Sequence, residues 1–318
     1  MGRRSKGNKV DGWVVLDKPQ GMTSTQAVGA VRRAFSAQKA GHAGTLDPLA
    51  TGVLAVALGE ATKTVPYAMD SEKLYRFTVR WGEARDTDDA EGAVVGTSGK
   101  RPAEAEILAQ LPNFIGEIEQ VPPAYSAIKV DGERAYDLAR DGESFTLSSR
   151  IVSVREARLV ELPDPDHAVF EVSCGKGSYI RAWVRDLALA LGTLGHVADL
   201  RRLKLGPFSV ESAISLDKLE SIGHSPAALE HLRPIATALD GIPALAVTGP
   251  DSVRLRSGNA VLIRAPQFAR LMEGAAAGTD LKGLTVLLST AQGEPVALAQ
   301  VAEGELRPFR VFNYGSSP

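Results

Sequence analysis

Asp47 is the residue whose type and setting most invite chemistry. It lies in Gly41-His42-Ala43-Gly44-Thr45-Leu46-Asp47-Pro48-Leu49-Ala50-Thr51-Gly52-Val53-Leu54, where three glycines in twelve positions permit tight turns and close approach of another molecule. Pro48 fixes its own φ and biases Asp47 towards extended geometry, so the carboxylate sits in a defined loop. Such a residue is either a turn-former or a catalytic carboxylate. Arg181 is a second candidate. It follows Cys174-Gly175-Lys176-Gly177-Ser178-Tyr179-Ile180, in which Ser178 can cap a helix. The apolar face would be Ile180, Trp183, Val184, Leu187 and Leu191, with Gly192 as the stop. Arg181 then falls in the first turn, where the helix dipole disfavours a cation, so a nearby anion is expected. An exposed arginine is the alternative. Tyr75 is a third candidate, the first inward residue of an alternating strand in which Phe77, Val79 and Trp81 follow on one side. Core packing is its other reading.

Several chemistries are excluded. The glycines and Lys176 lack the G-x-x-x-x-G-K-[ST] spacing of a phosphate loop. Asp86-Thr87-Asp88-Asp89-Ala90-Glu91-Gly92 is out of register with an EF-hand and reads as a solvated turn. A single Cys174 excludes an internal disulfide and a cysteine-rich zinc site, and fits a reducing compartment. No apolar run approaches the roughly 18 residues of a membrane span. The basic start MGRRSKGNKV lacks the apolar core of a secretory signal. A net charge of -2 does not advertise a nucleic-acid binder, yet one basic face can still hold phosphate, and Arg201, Arg202 and Lys204 form a cluster.

Positioning these residues requires a particular order of elements. Gly12 to Leu16 reads as a buried strand closed by the turn Asp17-Lys18-Pro19-Gln20-Gly21, and Thr23 with Gln26 as a capping box. The helix that follows carries Val28, Val31 and Phe35 on one face. Val53 to Leu58 is an apolar strand, and Thr62 to Met69 a short helix. Leu74 to Trp81 is the alternating strand. Pro102 opens a helix with Ile107, Leu108 and Leu111 on one side. Val121 to Val130 is irregular and apolar, with Lys129 embedded in it. Arg134 to Arg140 reads as a helix, and Arg150 to Leu162 and Ala168 to Ser173 as strands. A basic segment from His196 leads into a strand at Phe208 to Val210. From about Leu239 short strands alternate with glycine turns (Leu262-Ile263, Leu284 to Leu288, Val296 to Val301, Val311-Phe312), which marks a small β-rich module.

Leu16-Asp17-Lys18-Pro19-Gln20-Gly21-Met22-Thr23-Ser24, the Gly41 to Gly52 stretch, Gly177-Ser178-Tyr179-Ile180-Arg181 and Leu200-Arg201-Arg202 occur in the order found in the bacterial tRNA pseudouridine synthase B family, which this chain resembles from Leu16 to Arg202. Leu255-Arg256-Ser257-Gly258-Asn259 and Glu305 to Phe312 look like the ends of that family's RNA-binding PUA-type module. The resemblance implies an α+β fold: a mixed, largely antiparallel curved sheet with flanking helices, plus a small β-rich PUA-like domain. Three parts follow: a basic arm over 1–10, a catalytic domain over 11–238 with an RNA-clasping insertion at about 122–149, and the PUA-like domain over 239–318.

The resemblance also implies the activity: isomerisation of the T-loop uridine at tRNA position 55 to pseudouridine, with no cofactor and no metal. Asp47 corresponds to the catalytic carboxylate, Tyr75 to the tyrosine that stacks on the base and assists removal of its C5 proton, and Arg181 to the arginine paired with the aspartate. Tyr179 and Leu200 match residues lining the uracil pocket, and His42 the residue that fills the place of the flipped nucleotide. Lys18 belongs to a Lys-Pro motif supporting the Asp loop and counts, with Lys129 of the insertion, among the substrate-binding residues. The expected partner is the T-arm of tRNA, with no membrane and no obligatory protein partner, for a cytoplasmic monomer. Two alternatives remain: a non-catalytic RNA-binding protein on the same fold, and a synthase working inside a guide-RNA particle.

Overall fold

The computed structural model describes residues 7–126, 128–130, 133–140, 145–273 and 280–314. The basic arm expected over 1–10 therefore lies largely outside the described residues.

The first part of the chain gives strands β1 (Gly12–Lys18), β2 (Ala40–His42), β3 (Thr51–Leu58), β4 (Lys73–Trp81), β5 (Glu83–Arg85), β6 (Val94–Thr97), β7 (Gly116–Gln120), β8 (Lys129–Val130), β9 (Glu133–Arg134), β10 (Arg150–Asp164), β11 (His167–Cys174) and β12 (Gly195–Leu205). After these come β13 (Phe208–Ser209), β14 (Ile214–Ser215) and β15 (Leu232–Arg233). One large sheet runs β14-β1-β3-β12-β4-β11-β10-β7, with β2, β13 and β15 pairing at its sides. The β1/β14 and β3/β12 pairs are parallel and the rest antiparallel, so the sheet is mixed and largely antiparallel. A second sheet, β16 (Ala244–Ala246), β17 (Val261–Leu262), β18 (Thr285–Ser289), β19 (Pro295–Ala302) and β20 (Glu305–Val311), has the order β16-β18-β19-β20-β17.

Side-chain patterning explains the layers. β4 alternates as its sequence demands: Tyr75, Phe77, Val79 and Trp81 are buried under helix Ile180–Ala190, and Arg76 is exposed. β3 is apolar throughout because both its faces are covered. Leu54, Val56 and Leu58 join the core under the helices, whereas Val53, Ala55 and Ala57 pack with Trp13, Phe208, Leu287, Leu298 and Phe312. The second sheet thus closes the back of the first.

Helix Ser24–Ala34 has the Thr23/Gln26 capping box, but its buried face is Ala27, Ala30, Val31 and Ala34, with Val28 half-buried. Helix Ile180–Ala190 buries the expected apolar residues, yet Tyr179 and not Ser178 is its N-cap, without a side-chain bond. Gln120 receives the Tyr179 N–H instead, at 2.8 Å. Leu108 is 49% exposed, so the helix Glu104–Gln110 turns only Ile107 and the following Leu111 inward. The last strand begins at Glu305, earlier than its apolar end suggests.

Candidate active site

Asp47 sits in the loop between β2 and β3, and that loop is anchored on both sides of it. Ser24 Oγ donates to the Leu46 carbonyl at 2.9 Å and accepts from Leu46 N–H at 2.8 Å. Gly21 N–H donates to the Pro48 carbonyl at 2.8 Å. Lys18 is fully buried and aims its ammonium at the carbonyls of Met22 (2.6 Å), Pro19 (2.9 Å) and Pro48 (3.4 Å). Burial lowers its pKa to about 8, with the Asp47 charge opposing that shift. Lys18 therefore supports the loop from beneath, as the Lys-Pro motif implied, and is not among the residues lining the cavity in front of Asp47.

The Asp47 side chain keeps 37% exposure, while its partner Arg181 keeps 5%. Their Oδ2 and Nη2 atoms lie 3.0 Å apart. Arg181 is held in turn by the carbonyls of Thr87 and Tyr125, each at 2.9 Å, and stands 3.6 Å from Asp89 Oδ2. The anion expected from the unfavourable helix position of Arg181 is thus present twice. The stretch Asp86 to Gly92 is a turn, but not a solvated one throughout. Asp89 is 3% exposed, caps its own loop by accepting from Glu91 N–H at 3.1 Å, and backs the arginine. Asp88 pairs with Arg185 at 2.9 Å, and burial raises its pKa against that arginine.

In front of Asp47 lies a cavity of about 300 Å³ that brings together Asp47, Tyr75, Tyr179, Arg181 and Leu200. Burial raises the pKa of the Tyr75 phenol, so it is neutral at ordinary pH. Burial likewise raises that of Tyr179, whose ring carries the Arg150 guanidinium 5.8 Å from its centroid. A half-exposed carboxylate on a buried guanidinium, facing aromatic and aliphatic walls, suits a flat ring attached to a centre that becomes electron-poor.

His42 is not on the wall of this cavity. It is half-buried on β2 with Nδ1 lacking a partner among the described residues, and its pKa is lowered by burial and then by Arg202. Of Lys129 only the backbone, in the hairpin of β8 and β9, is among the described residues. Two cavity residues escaped the sequence reading. Arg202 is 1% exposed, with Nε on the Val53 carbonyl at 2.7 Å and Nη2 on the Gly44 carbonyl at 3.1 Å. Lys73 is 7% exposed and donates to the carbonyls of Met69 and Ser71, each at 2.6 Å. The expected basic cluster dissolves accordingly: Arg202 is inside, and Arg201 pairs with both Asp17 oxygens at 2.9 and 2.8 Å. Among the described residues no group of His, Cys, Asp and Glu is arranged to hold a metal ion, and no helix is long and apolar enough to cross a membrane.

Comparison with known proteins fits this arrangement. Residues 32–180 match the profile described as TruB family pseudouridylate synthase (N terminal domain), and residues 181–240 that of the tRNA pseudouridylate synthase B C-terminal domain. The chain is 54% identical over 313 residues to the tRNA pseudouridine synthase B of Caulobacter vibrioides, covering 98% of this chain and 99% of the relative. It is 50% identical to the protein of that name in Rhodospirillum rubrum, covering 98% and 100%. Among solved structures, a chain of a Cbf5-Nop10-Gar1 complex superposes with a TM-score of 0.70 at 26% identity, over 95% of this chain and 85% of that one. A chain of an H/ACA RNP bound to a substrate RNA containing 2'-deoxyuridine shares the fold, with a TM-score of 0.71 at 23% identity over 98% and 92%. An anchored, arginine-backed aspartate on this sheet and near full-length identity to named relatives lead to one conclusion: the chain belongs to the TruB family of pseudouridylate synthases.

Proposed function

We propose that this enzyme isomerises the T-loop uridine at position 55 of tRNA to pseudouridine, acting alone, without cofactor or metal, on a flipped-out nucleotide. The observation that carries the reading is the Asp47 carboxylate, half-exposed at a cavity walled by Tyr75, Tyr179 and Leu200 and held by buried Arg181. In the reaction the N1–C1′ bond breaks and a C5–C1′ bond forms. One proton leaves C5 and one is bound at N1, so the product is an isomer. Cleavage makes C1′ electron-poor, and an ionised carboxylate there can attack it or stabilise it. Arg181, with Nη2 3.0 Å from Asp47 Oδ2, orients that carboxylate towards the cavity.

Extruding a loop nucleotide costs a few kcal/mol. Stacking on an aromatic ring returns roughly 1–3 kcal/mol, the role assigned to Tyr75. His42, away from the cavity wall, fits a place beside the vacated position in the RNA loop, and Lys129 a place in the insertion over about 122–149. The second sheet, with the chain from about 239 on, is read as a PUA-like RNA-binding module. A tRNA substrate supports a cytoplasmic location, and the contribution of Asp47, Tyr75 and Arg181 to one cavity by one chain supports a monomer. The test is the purified chain in EDTA with an unmodified tRNA transcript, pseudouridine being mapped by position. Formation at position 55 is expected. Activity only with a divalent ion, with RNA folding controlled, or only with added protein or guide RNA, would overturn the reading.

A further inference from the structure

Arg202 has a role that neither the resemblance nor the comparisons assign. It is one of the largest fully buried side chains, and among the described residues no carboxylate forms an ion pair with it, whereas its neighbour Arg201 pairs with Asp17 and Arg181 with Asp47. A desolvated cation without a counter-charge is costly. Its position is therefore informative. On β12 it stands directly opposite Tyr75 of β4 and opposite Gly52 of β3. Gly52 has φ +94°, and a Cβ there would collide with the Arg202 carbonyl oxygen, so glycine is what lets the Asp47 loop run this close to β12.

The guanidinium reaches both ends of that loop, with Gly44 before Asp47 and Val53 after it. It also lines the same cavity as Tyr75, its cross-strand neighbour, and its charge opposes the rise that burial imposes on the Tyr75 pKa. Loss of Arg202 would thus loosen the carboxylate and the phenol together. We propose that Arg202 is a positioning residue of the isomerisation: it braces the Asp47 loop across Gly44 and Val53 and, with the same guanidinium, sets the Tyr75 hydroxyl against the uracil. This rests on the reading of Asp47 and Tyr75 given above. As the C5 proton passes to its acceptor, the C–H electron pair stays on the base, and negative charge grows there until N1 is protonated. A cation already desolvated beside Tyr75 meets that charge without reorganisation.

The experiment compares Arg202→Lys and Arg202→Met in single-turnover assays on tRNA transcripts carrying uridine or 5-deuterouridine, with RNA affinity and melting temperature measured on the same preparations. Asp47→Asn and Tyr75→Phe run alongside. Arg202→Met should slow turnover by about 100-fold with affinity changed less than about threefold, and Arg202→Lys should recover part of the rate, since lysine keeps the charge without the fork. The deuterium effect should rise above that of the wild type, because C5–H cleavage has become limiting. Turnover of Arg202→Met within about threefold of wild type overturns the proposal. So does a slowed variant whose isotope effect is unchanged while its melting temperature falls, since Arg202 would then only hold the fold. If Asp47→Asn and Tyr75→Phe both turn over within about tenfold of wild type, the site reading itself fails, whatever Arg202 does.

Discussion

The two sheets of this molecule handle polar groups differently. In the large sheet and its helices, charge is taken inside: Lys18, Lys73, Asp89, Glu171, Arg181, His196 and Arg202 are all buried. In the second sheet, the described residues bury only apolar side chains such as Leu255, Val286, Leu288, Val296 and Leu306, and the arginines stay outside. Arg307 is occupied by Glu303 and Glu305, while Arg254 and Arg310 are exposed. Desolvated charge has a stability cost, and three of these groups, Lys73, Arg181 and Arg202, line the cavity in front of Asp47. The second sheet has no such store, so whatever RNA affinity it contributes must come from its surface. It is also docked and not merely tethered. Leu287, Leu298 and Phe312 share a core with Trp13 and Phe208, Lys63 donates to the Val311 carbonyl at 2.7 Å, and Asn313 N–H donates to Glu60 at 2.6 Å. Deleting everything after about 238 would therefore strip the back of β1 and β3, so the two roles are better separated by point changes.

Asp47→Asn should separate the two regions most strongly. It should lose turnover by about 1000-fold or more while binding tRNA normally, because asparagine keeps the loop bonds but supplies neither charge nor nucleophile. Single-turnover rates and affinity together check this, and a rate within about tenfold of wild type, roughly 1.4 kcal/mol, would remove Asp47 from the chemistry. Phe312→Ala attacks the junction instead. Emptying a fully buried phenylalanine site costs about 3–5 kcal/mol. A large drop in denaturation midpoint with a preserved rate at low temperature is expected, and a coupled loss of rate would mean that the junction also positions the site.

Arg181→Lys should slow turnover by about 10- to 100-fold with little change in affinity, since lysine keeps the charge but loses the planar fork whose separate nitrogens reach Thr87 on one side and Asp47 and Tyr125 on the other. On the outer surface, Arg254→Ala with Arg310→Ala should weaken binding by about three- to tenfold. The slope of log affinity against log salt should fall by about 1 for each phosphate no longer neutralised. An unchanged salt slope would take the second sheet out of the RNA interface.

The smallest expected effect is one of pH. Folding lowers the Lys18 pKa from 10.5 to about 8, so between those values the unfolded chain binds the proton that the folded chain has released. Stability then rises with pH across that window. Lys18→Met should flatten the rise in denaturant titrations between pH 8 and pH 10, leaving the similar contribution of Lys73. A rise as steep as in the wild type would show that Lys18 is not the group releasing the proton.

Local chemistry in the sequence sufficed for much of this. The Thr23/Gln26 box, the alternation of β4 and the stop at Gly192 depend on neighbours within a few residues, and each is found in the structure. The awkward place of Arg181 at a helix start raised a nearby anion as one of two readings, and the structure supplies it in Asp47 and Asp89. The motif order was enough to point to the family and to Asp47. Tertiary structure alone decided which charges went inside. Asp89 reads as part of a polar turn, and Arg202 as one of three cations in a basic run, because nothing near either in the chain says otherwise. Asp89 is covered through its bridge to Val197, and Arg202 is closed in by Tyr75 on one side and Gly52 on the other. Burial is a property of these distant strand pairings, and local periodicity carries no trace of it.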